Sequence, residues 1–474
     1  MVIRDSFTST MNYHCSPKIR QAVAASSAGM MLMAMVITWV FAAVALPQME
    51  EPGSTVNLAK EEASWFASLP LFLGIPGSAV VGMLCERFGP RKLLLVLSPP
   101  LCASTAMMAA ASLEAIQAAG AAEILLLVSR VLQGGIGSLF LMLVIVYTYE
   151  VCDRHLRGTF IAITDVWASL AYIFCYLSGA YLRWYTQAWL LPVCTLVPGF
   201  CGALLSPESP MWLARKGRDE AAIKSLTLVR NSVEEMTEEL QVVRNSNTQE
   251  DNTTLYKSLQ LCGKKFNLIP IILSSTILIL KELCGGMTLG MYIVFIFQQA
   301  GVGLSPIWSS VVIGLLRLIC NVFASTLLHN APRKPTLLAG NILITLSLVA
   351  LGTFFFLQSQ GQDLSRLEWL PLCGLGIYIV GYAGALGPTT WIVALEILPG
   401  AVRSLGLSLS NVCFLFSAFI ISKVFDATKD QIGMHGVFWS YSVASLLYMI
   451  LILVCIPETR GLSLEKVESY WKKI

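Results

Sequence analysis

Apolar residues run through this chain in long blocks separated by short charged loops. Residues 21–47, 63–85, 93–113, 184–206, 336–362, 369–395 and 436–457 contain no Asp, Glu, Lys or Arg. At a helical rise of about 1.5 Å per residue, each can cross a hydrocarbon core about 30 Å thick. Four further blocks, 124–149, 158–182, 305–328 and 404–425, carry one charge each, and 266–304 carries two. Numbered in chain order, these blocks predict twelve membrane-spanning helices, spans 1 to 12, in an all-α polytopic bundle.

One long polar insert interrupts the series. Residues 207–265 hold 18 of the 61 charged side chains and lie between spans 6 and 7. The expected organisation is therefore a six-helix bundle over 1–206, a linker over 207–265, a second bundle over 266–456 and a tail over 457–474. Ala222, Leu226, Val229 and Val233 recur at helical spacing, so short amphipathic helices are expected in the linker, with 245–254 as a loop. Outside the linker, the loops on its side of the bilayer hold fifteen Lys and Arg, and the opposite loops hold four. By the positive-inside bias, both termini and the linker are expected in the cytoplasm.

Composition sharpens the class. Only 13% of the 474 residues are charged and 55% are hydrophobic, against about 25% charged in soluble domains. That excludes a water-soluble enzyme. The first apolar block is long for a signal-peptide core and other spans follow it, so it is expected to be retained. The cysteines fall mostly within spans and the four histidines are scattered, so no metal site or cofactor is expected. Two halves of six spans suggest a solute site between repeated bundles near the bilayer midplane. Residues 86–92 after span 2 and 329–335 after span 8 are eroded copies of one turn, in register.

Several short motifs fall in a definite order. They are Glu86-Arg87-Phe88-Gly89-Pro90-Arg91-Lys92, Arg130 with Gly134, Gly135 and Gly137, Glu150 with Arg157-Gly158, and Pro207-Glu208-Ser209-Pro210. Later come Gly384, Gly387, Pro388 and Trp391 with Glu396 and Arg403, and Pro457-Glu458-Thr459-Arg460-Gly461. Together they resemble the sugar porter family of the major facilitator superfamily over nearly the whole chain. Trp39 with Ala45–Gln48, and Ser64-Trp65-x-Ala67-Ser68-Leu69, resemble the arthropod facilitated trehalose transporter branch. The resemblance implies a twelve-helix bundle of two pseudo-symmetric halves. It also implies alternating-access transport of a sugar or similar polar solute, in a multi-pass protein of the plasma membrane. The expected associates are that solute and the bilayer, with a monomeric protein and no nucleic acid.

The charged motif residues, Glu86, Glu150, Glu208, Glu396 and Glu458 with Arg87, Arg130, Arg157, Arg403 and Arg460, are expected to pair as a cytoplasmic gate. Such pairs would hold the halves together in an outward-open state and break on inward opening. Pro388 lacks a backbone donor and follows Gly384 and Gly387, so a hinge is expected there. In the family, amide side chains hold the sugar ring and a span-10 Trp covers it. Here Trp391 and Tyr292 keep their places and Asn411 lies one turn before Phe414, but Asp165, Lys281, Glu282 and Met287 replace amides. Charges in a span normally face a cavity or a partner. An Asp165–Lys281 ion pair across the cavity, or a charged or zwitterionic solute bound there, is therefore expected. Glu282, about 100° around the helix, is expected to miss the Lys281 face and to cap a neighbouring helix. Three functions stay open: a facilitator, a proton-coupled symporter titrating Asp165 or Glu282, and a transport-dead sugar sensor.

Overall fold

A computed structural model describes residues 16–51, 54–153, 157–230, 265–327, 331–399 and 402–460. Span 1 is Pro17–Val40, continued by Ala42–Met49. Spans 2 to 6 are Lys60–Phe88, Pro90–Ala110, Ala122–Val151, Arg157–Tyr181 and Trp184–Leu205. Span 7 comes in three pieces, Lys265–Leu283, Gly286–Met291 and Ile293–Ala300. Spans 8 and 9 are Pro306–Leu327 and Arg333–Ser359. Span 10 is Leu370–Gly381 and Gly387–Glu396.

Spans 11 and 12 share one stretch, Arg403–Cys455, of 53 residues. A straight helix of that length would run roughly 80 Å, far beyond a bilayer core. Gly433 breaks it with φ 72° and ψ 169°, a conformation open to glycine. The twelve spans therefore stand as the sequence predicts.

Within the first half, span 2 packs on span 4, span 1 on spans 5 and 6, and span 3 on spans 4 and 6. In the second half, span 7 lies along the span 11–12 helix, and span 9 along spans 10 and 12. The halves meet where span 2 faces span 11 and span 5 faces span 8. The surface is apolar, as lipid requires: Leu205 is 85% and Val454 76% exposed. Tyr181, Trp308 and Trp369 are exposed at the end of the bundle opposite the linker, where aromatic rings suit the bilayer interface.

With no hydrophobic force between helices in lipid, close packing of small residues draws them together. A Cβ on Gly134 of span 4 would lie 2.6 Å from Cα of Pro70 in span 2. Gly340 and Gly381 bring spans 9 and 10 equally close: a Cβ on Gly381 would lie 2.7 Å from the Gly340 carbonyl oxygen. Span 10 leaves α geometry at Tyr382–Leu386, a π turn whose closing Gly387 N–H reaches back to the Tyr382 carbonyl. Pro388, at the start of the next segment, cannot donate. This irregular turn falls at Gly384, Gly387 and Pro388, where the hinge is expected.

The linker begins with helices Pro210–Arg215 and Asp219–Val229, which bury Ala222, Leu226 and Val229. Val233 and the loop 245–254 lie outside the described residues. Both helices dock on the first half: Trp212 Nε1 donates to the Glu86 carbonyl at 2.7 Å, and Gln21 Nε2 to that of Val229 at 2.5 Å.

The Gly134 contact is with backbone, which cannot swing aside. Gly134→Ala is expected to destabilise the purified protein by about 1–3 kcal/mol, the usual cost of overpacking. Gly135→Ala, with open space around its Cβ, is the control. Equal melting temperatures for the two variants would contradict the close span 2–span 4 approach.

Candidate functional site

Span 7 breaks because Gly285 adopts φ 90°. Just before the break stand Lys281 and Glu282, 4% and 1% exposed. Lys281 Nζ lies 3.5 Å from Glu282 Oε1. It also sits over three rings, at 4.8 Å from the Phe414 centroid, 5.3 Å from Trp391 and 5.5 Å from Tyr382. Trp391 and Phe414 meet edge to face at 5.2 Å. Glu282 Oε1 accepts from the Tyr382 hydroxyl at 3.1 Å and its Oε2 from Met287 N–H at 3.0 Å. The centre of the second half is thus a cation in an aromatic cage, balanced by a fully bonded carboxylate.

Two expectations are corrected here. Lys281 pairs with Glu282, not with Asp165. The 100° between adjacent residues limits Cβ directions, but a four-carbon lysine arm can bend back at a helix end. Glu282 caps the next segment of its own span, not a neighbouring helix. Asp165 is exposed on span 5 and enters no ion pair among the described residues; the charge acting on it is that of Arg317.

Asn411 is 2% exposed, and its Oδ1 has no hydrogen-bond partner. Tyr292 lies elsewhere: it stacks on Phe425 at 4.2 Å and its hydroxyl donates toward the Ser422 carbonyl at 3.4 Å. It lines a groove with Ala42, Pro47, Asp426 and Lys429 at the end opposite the linker, away from the Lys281 cage.

The linker end repeats one arrangement in both halves. Glu208 accepts from Arg91 N–H at 3.0 Å, at the first turn of span 3. Glu458 accepts from Arg333 and Lys334 N–H at 2.9 and 3.1 Å, at the first turn of span 9. The residue after each glutamate then bonds the glutamate ending the fourth span of its half: Ser209 to Glu150, and Thr459 to Glu396 at 2.6 Å. Glu150 also pairs with Arg215, and Glu396 with Arg333 at 3.3 Å. A carboxylate at a helix start satisfies orphan N–H groups and matches the positive end of the dipole.

These pairs stay within each half, whereas the sequence suggested a clamp between halves. Glu86 and Arg87 are exposed, and Arg87 stacks on Phe88 at 5.4 Å. Arg460 contributes its N–H to Glu458 at 3.0 Å. The side chains of Arg157 and Arg403 lie outside the described residues. Arg130 belongs to no gate at this end. It is fully buried toward the opposite end, where it donates to the carbonyls of Phe66 at 2.7 Å and Thr38 at 2.5 Å and covers the Phe66 ring at 4.4 Å.

Bonds between the halves gather at the far end and near the middle. Lys60 pairs with Asp430 at 3.1 Å, and Ser64 donates to the Lys423 carbonyl at 2.8 Å. Tyr176 donates to the Gly290 carbonyl at 2.8 Å and Asn321 to Ser169 at 2.6 Å. Arg317 lies 4.1 Å over the Tyr172 ring. Arg317 escaped the sequence reading although its signal was there, one charge in the middle of 305–328. No ion pair or side-chain hydrogen bond crosses between the halves at the linker end among the described residues.

The architecture and the sequence agree with known proteins. A family profile described as sugar (and other) transporter matches residues 22–471, and the chain belongs to that family. It is 28% identical to the facilitated trehalose transporter of Aedes aegypti over 94% of its length, yet spans only 54% of that relative. It is 27% identical to that of Polypedilum vanderplanki, covering 94% of this chain and 87% of the relative. Its fold is shared with the E. coli xylose transporter in an inward-open conformation, with TM-score 0.73 and 20% identity over 96% of this chain and 99% of that one.

The repeated caps differ electrostatically. At Glu458 burial opposes ionisation, but the N–H groups of Arg460, Arg333 and Lys334 outweigh it and hold the carboxyl below the usual range. At Glu208 burial wins and pushes the carboxyl up. Glu458 therefore contributes stability present above the ordinary Glu range and lost on acidification, while the Glu208 contribution weakens as pH rises. Glu458→Gln is expected to cost about 1 kcal/mol at pH 7, more than Glu208→Gln, and to flatten the acid limb of melting temperature against pH. A larger loss for Glu208→Gln, or an unchanged acid limb, would contradict this.

Proposed function

We propose that this chain moves a sugar of the trehalose or hexose class across the plasma membrane by facilitated diffusion, through alternating access, with the linker and both termini in the cytoplasm. The family and the names of its relatives support the substrate class. The excess of Lys and Arg at the linker end supports the orientation. One observation carries the mechanism: among the described residues, the bonds between the halves lie at the far end and middle, around a central cage. A two-state carrier needs contacts that exist in one state only, and Lys60–Asp430, Ser64–Lys423 and Tyr176–Gly290 are such contacts.

In this reading the half-buried Trp391 ring meets the C–H side of the sugar, and the Oδ1 of Asn411 accepts a sugar hydroxyl. The Lys281–Glu282 pair fixes the broken span 7 against Tyr382 and Trp391, and Tyr292 belongs to the outer closure. The glutamates at the linker end hold each half rigid, so that the halves rock as units about the π turn and span interfaces. No bond is made or broken in the solute, so the protein is a carrier and no enzyme. A second reading, proton-coupled symport with Asp165 as the titrating group, is favoured by its exposure and lack of an ion pair.

Asn411 separates a site role from a structural one, because its Oδ1 supports nothing in the protein. Asn411→Leu is expected to lower uptake about tenfold, roughly 1.4 kcal/mol, with no fall in melting temperature. Equal losses of both would make Asn411 structural. In proteoliposomes offered trehalose or glucose, equilibration without accumulation under an imposed pH gradient is expected. Accumulation above equilibrium, abolished by Asp165→Asn, would favour the symporter instead.

A further inference from the structure

Arg317 has no use in the arrangement described so far, and its surroundings do not balance it. It stands near the middle of span 8, where span 5 of the other half passes. A guanidinium carries five N–H donors and stays charged at any pH the protein meets. Its Nε is buried without a hydrogen-bond partner. No ion pair of the described residues includes it, and it lies over the face of Tyr172 at 4.1 Å. The hydroxyls around it donate elsewhere: Tyr176 to the Gly290 carbonyl at 2.8 Å, Tyr378 to that of Cys284 at 3.1 Å, and Tyr382 to Glu282 at 3.1 Å.

The nearby acids do not serve it either. Glu282 is taken by Lys281, Tyr382 and the Met287 N–H. Asp165 acts on Arg317 only across a gap longer than an ion pair. Of these two cations, Lys281 has its counter-charge in contact and Arg317 has none among the described residues.

Beside the guanidinium is a cavity of about 20 Å³, walled by Tyr172, Tyr176, Gly286, Gly290, Gly314 and Arg317. Three of these are glycines, and Leu289, Ile293 and Ile313 of spans 7 and 8 complete an otherwise apolar wall around the guanidinium. A Cβ on Gly290 would stand 3.2 Å from Tyr172, and one on Gly314 would stand 3.2 Å from Ile173. The space takes one water-sized group and no sugar ring. Gly286 and Tyr378 connect it to the Lys281 cage, since Tyr378 stacks on Tyr382 at 5.8 Å. An anionic head matches the donors, because the guanidinium fork binds a carboxylate through two parallel hydrogen bonds, and the water-sized space beside it leaves room for one carboxylate oxygen.

We propose that Arg317 is the anion subsite of the central cavity, and that the solute carried is a sugar bearing a carboxylate, its ring toward the Trp391 cage and its carboxylate in the Arg317 fork. This rests on the transport reading and narrows its substrate. The carboxylate would supply the counter-charge that the protein leaves out, and would bridge span 8 to the span 5 tyrosine beside it. A neutral sugar would leave the guanidinium as bare as it is now.

The test uses two probes that differ at one carbon, D-glucose and D-glucuronate, offered to the full chain in proteoliposomes. Wild type is expected to take up glucuronate at least tenfold more efficiently than glucose. Arg317→Gln is expected to lower that ratio tenfold or more, and Arg317→Lys, which keeps the charge but not the fork, to fall between. Because the ratio is read on one preparation, a variant that inserts poorly still reports it. A wild-type ratio at or below one, or a ratio unchanged in Arg317→Gln, would overturn the proposal. If glucose enters and glucuronate does not, this inference fails and the transport reading stands. If neither enters, both fail.

Discussion

Hydrocarbon accepts no hydrogen bonds and solvates no ions, so every charge carried into the bilayer must find its partner in the protein. In this chain that constraint places nearly every polar residue that matters. Arg130 is tied to two backbone carbonyls and a phenyl face. Lys281 has Glu282 and three rings. Glu282 has a hydroxyl and a backbone N–H besides. Buried polar atoms without a partner remain even so, Arg130 Nη2 among them, and Arg317 Nε and Asn411 Oδ1 are the two that bear on the solute site.

The two ends of the molecule solve different problems with the same means. At the linker end, Glu208 and Glu458 cap spans 3 and 9, and Ser209 and Thr459 lock Glu150 and Glu396. The duplicated geometry ties the third and fourth spans of each half to the segment that follows its last span. At the other end the bonds run between halves, and the ion pair among them is exposed: Lys60–Asp430 has side chains 87% and 48% accessible. Such pairs are worth about 1 kcal/mol or less. A closure built from weak contacts between rigid halves can be exchanged for another closure, which a single cohesive core could not do.

Much of this was legible in the sequence, because lipid writes its demand as uninterrupted apolar blocks. The twelve spans, the linker and the internal repeat follow from where charge is missing. The oddness of Asp165, Lys281 and Glu282 was legible too. Their partners were not. The Asp165–Lys281 pairing assumed a regular helix and opposed cavity faces, whereas Gly285 ends the helix and lets Lys281 turn back to Glu282. The expected clamp took charged residues near one face to be partners across it, but Arg215 and Arg333, close in their own halves, compete better. Arg130 was placed by its motif, and only tertiary packing showed it bound to Thr38 and Phe66. Arg317 is the reverse case, a plain signal in the sequence whose meaning depends on what does not surround it.

The central claim is that one rigid-body exchange closes the far end while opening the linker end. Double electron–electron resonance on the full chain in lipid reads this directly. One label pair sits at Glu61 and Ala427, at the far ends of spans 2 and 11, and another at Arg87 and Ser408, at their linker ends. Added solute should populate a second state in which the first distance lengthens as the second shortens. Distances that move in the same direction, or that stay fixed in a preparation active in uptake, would contradict the account.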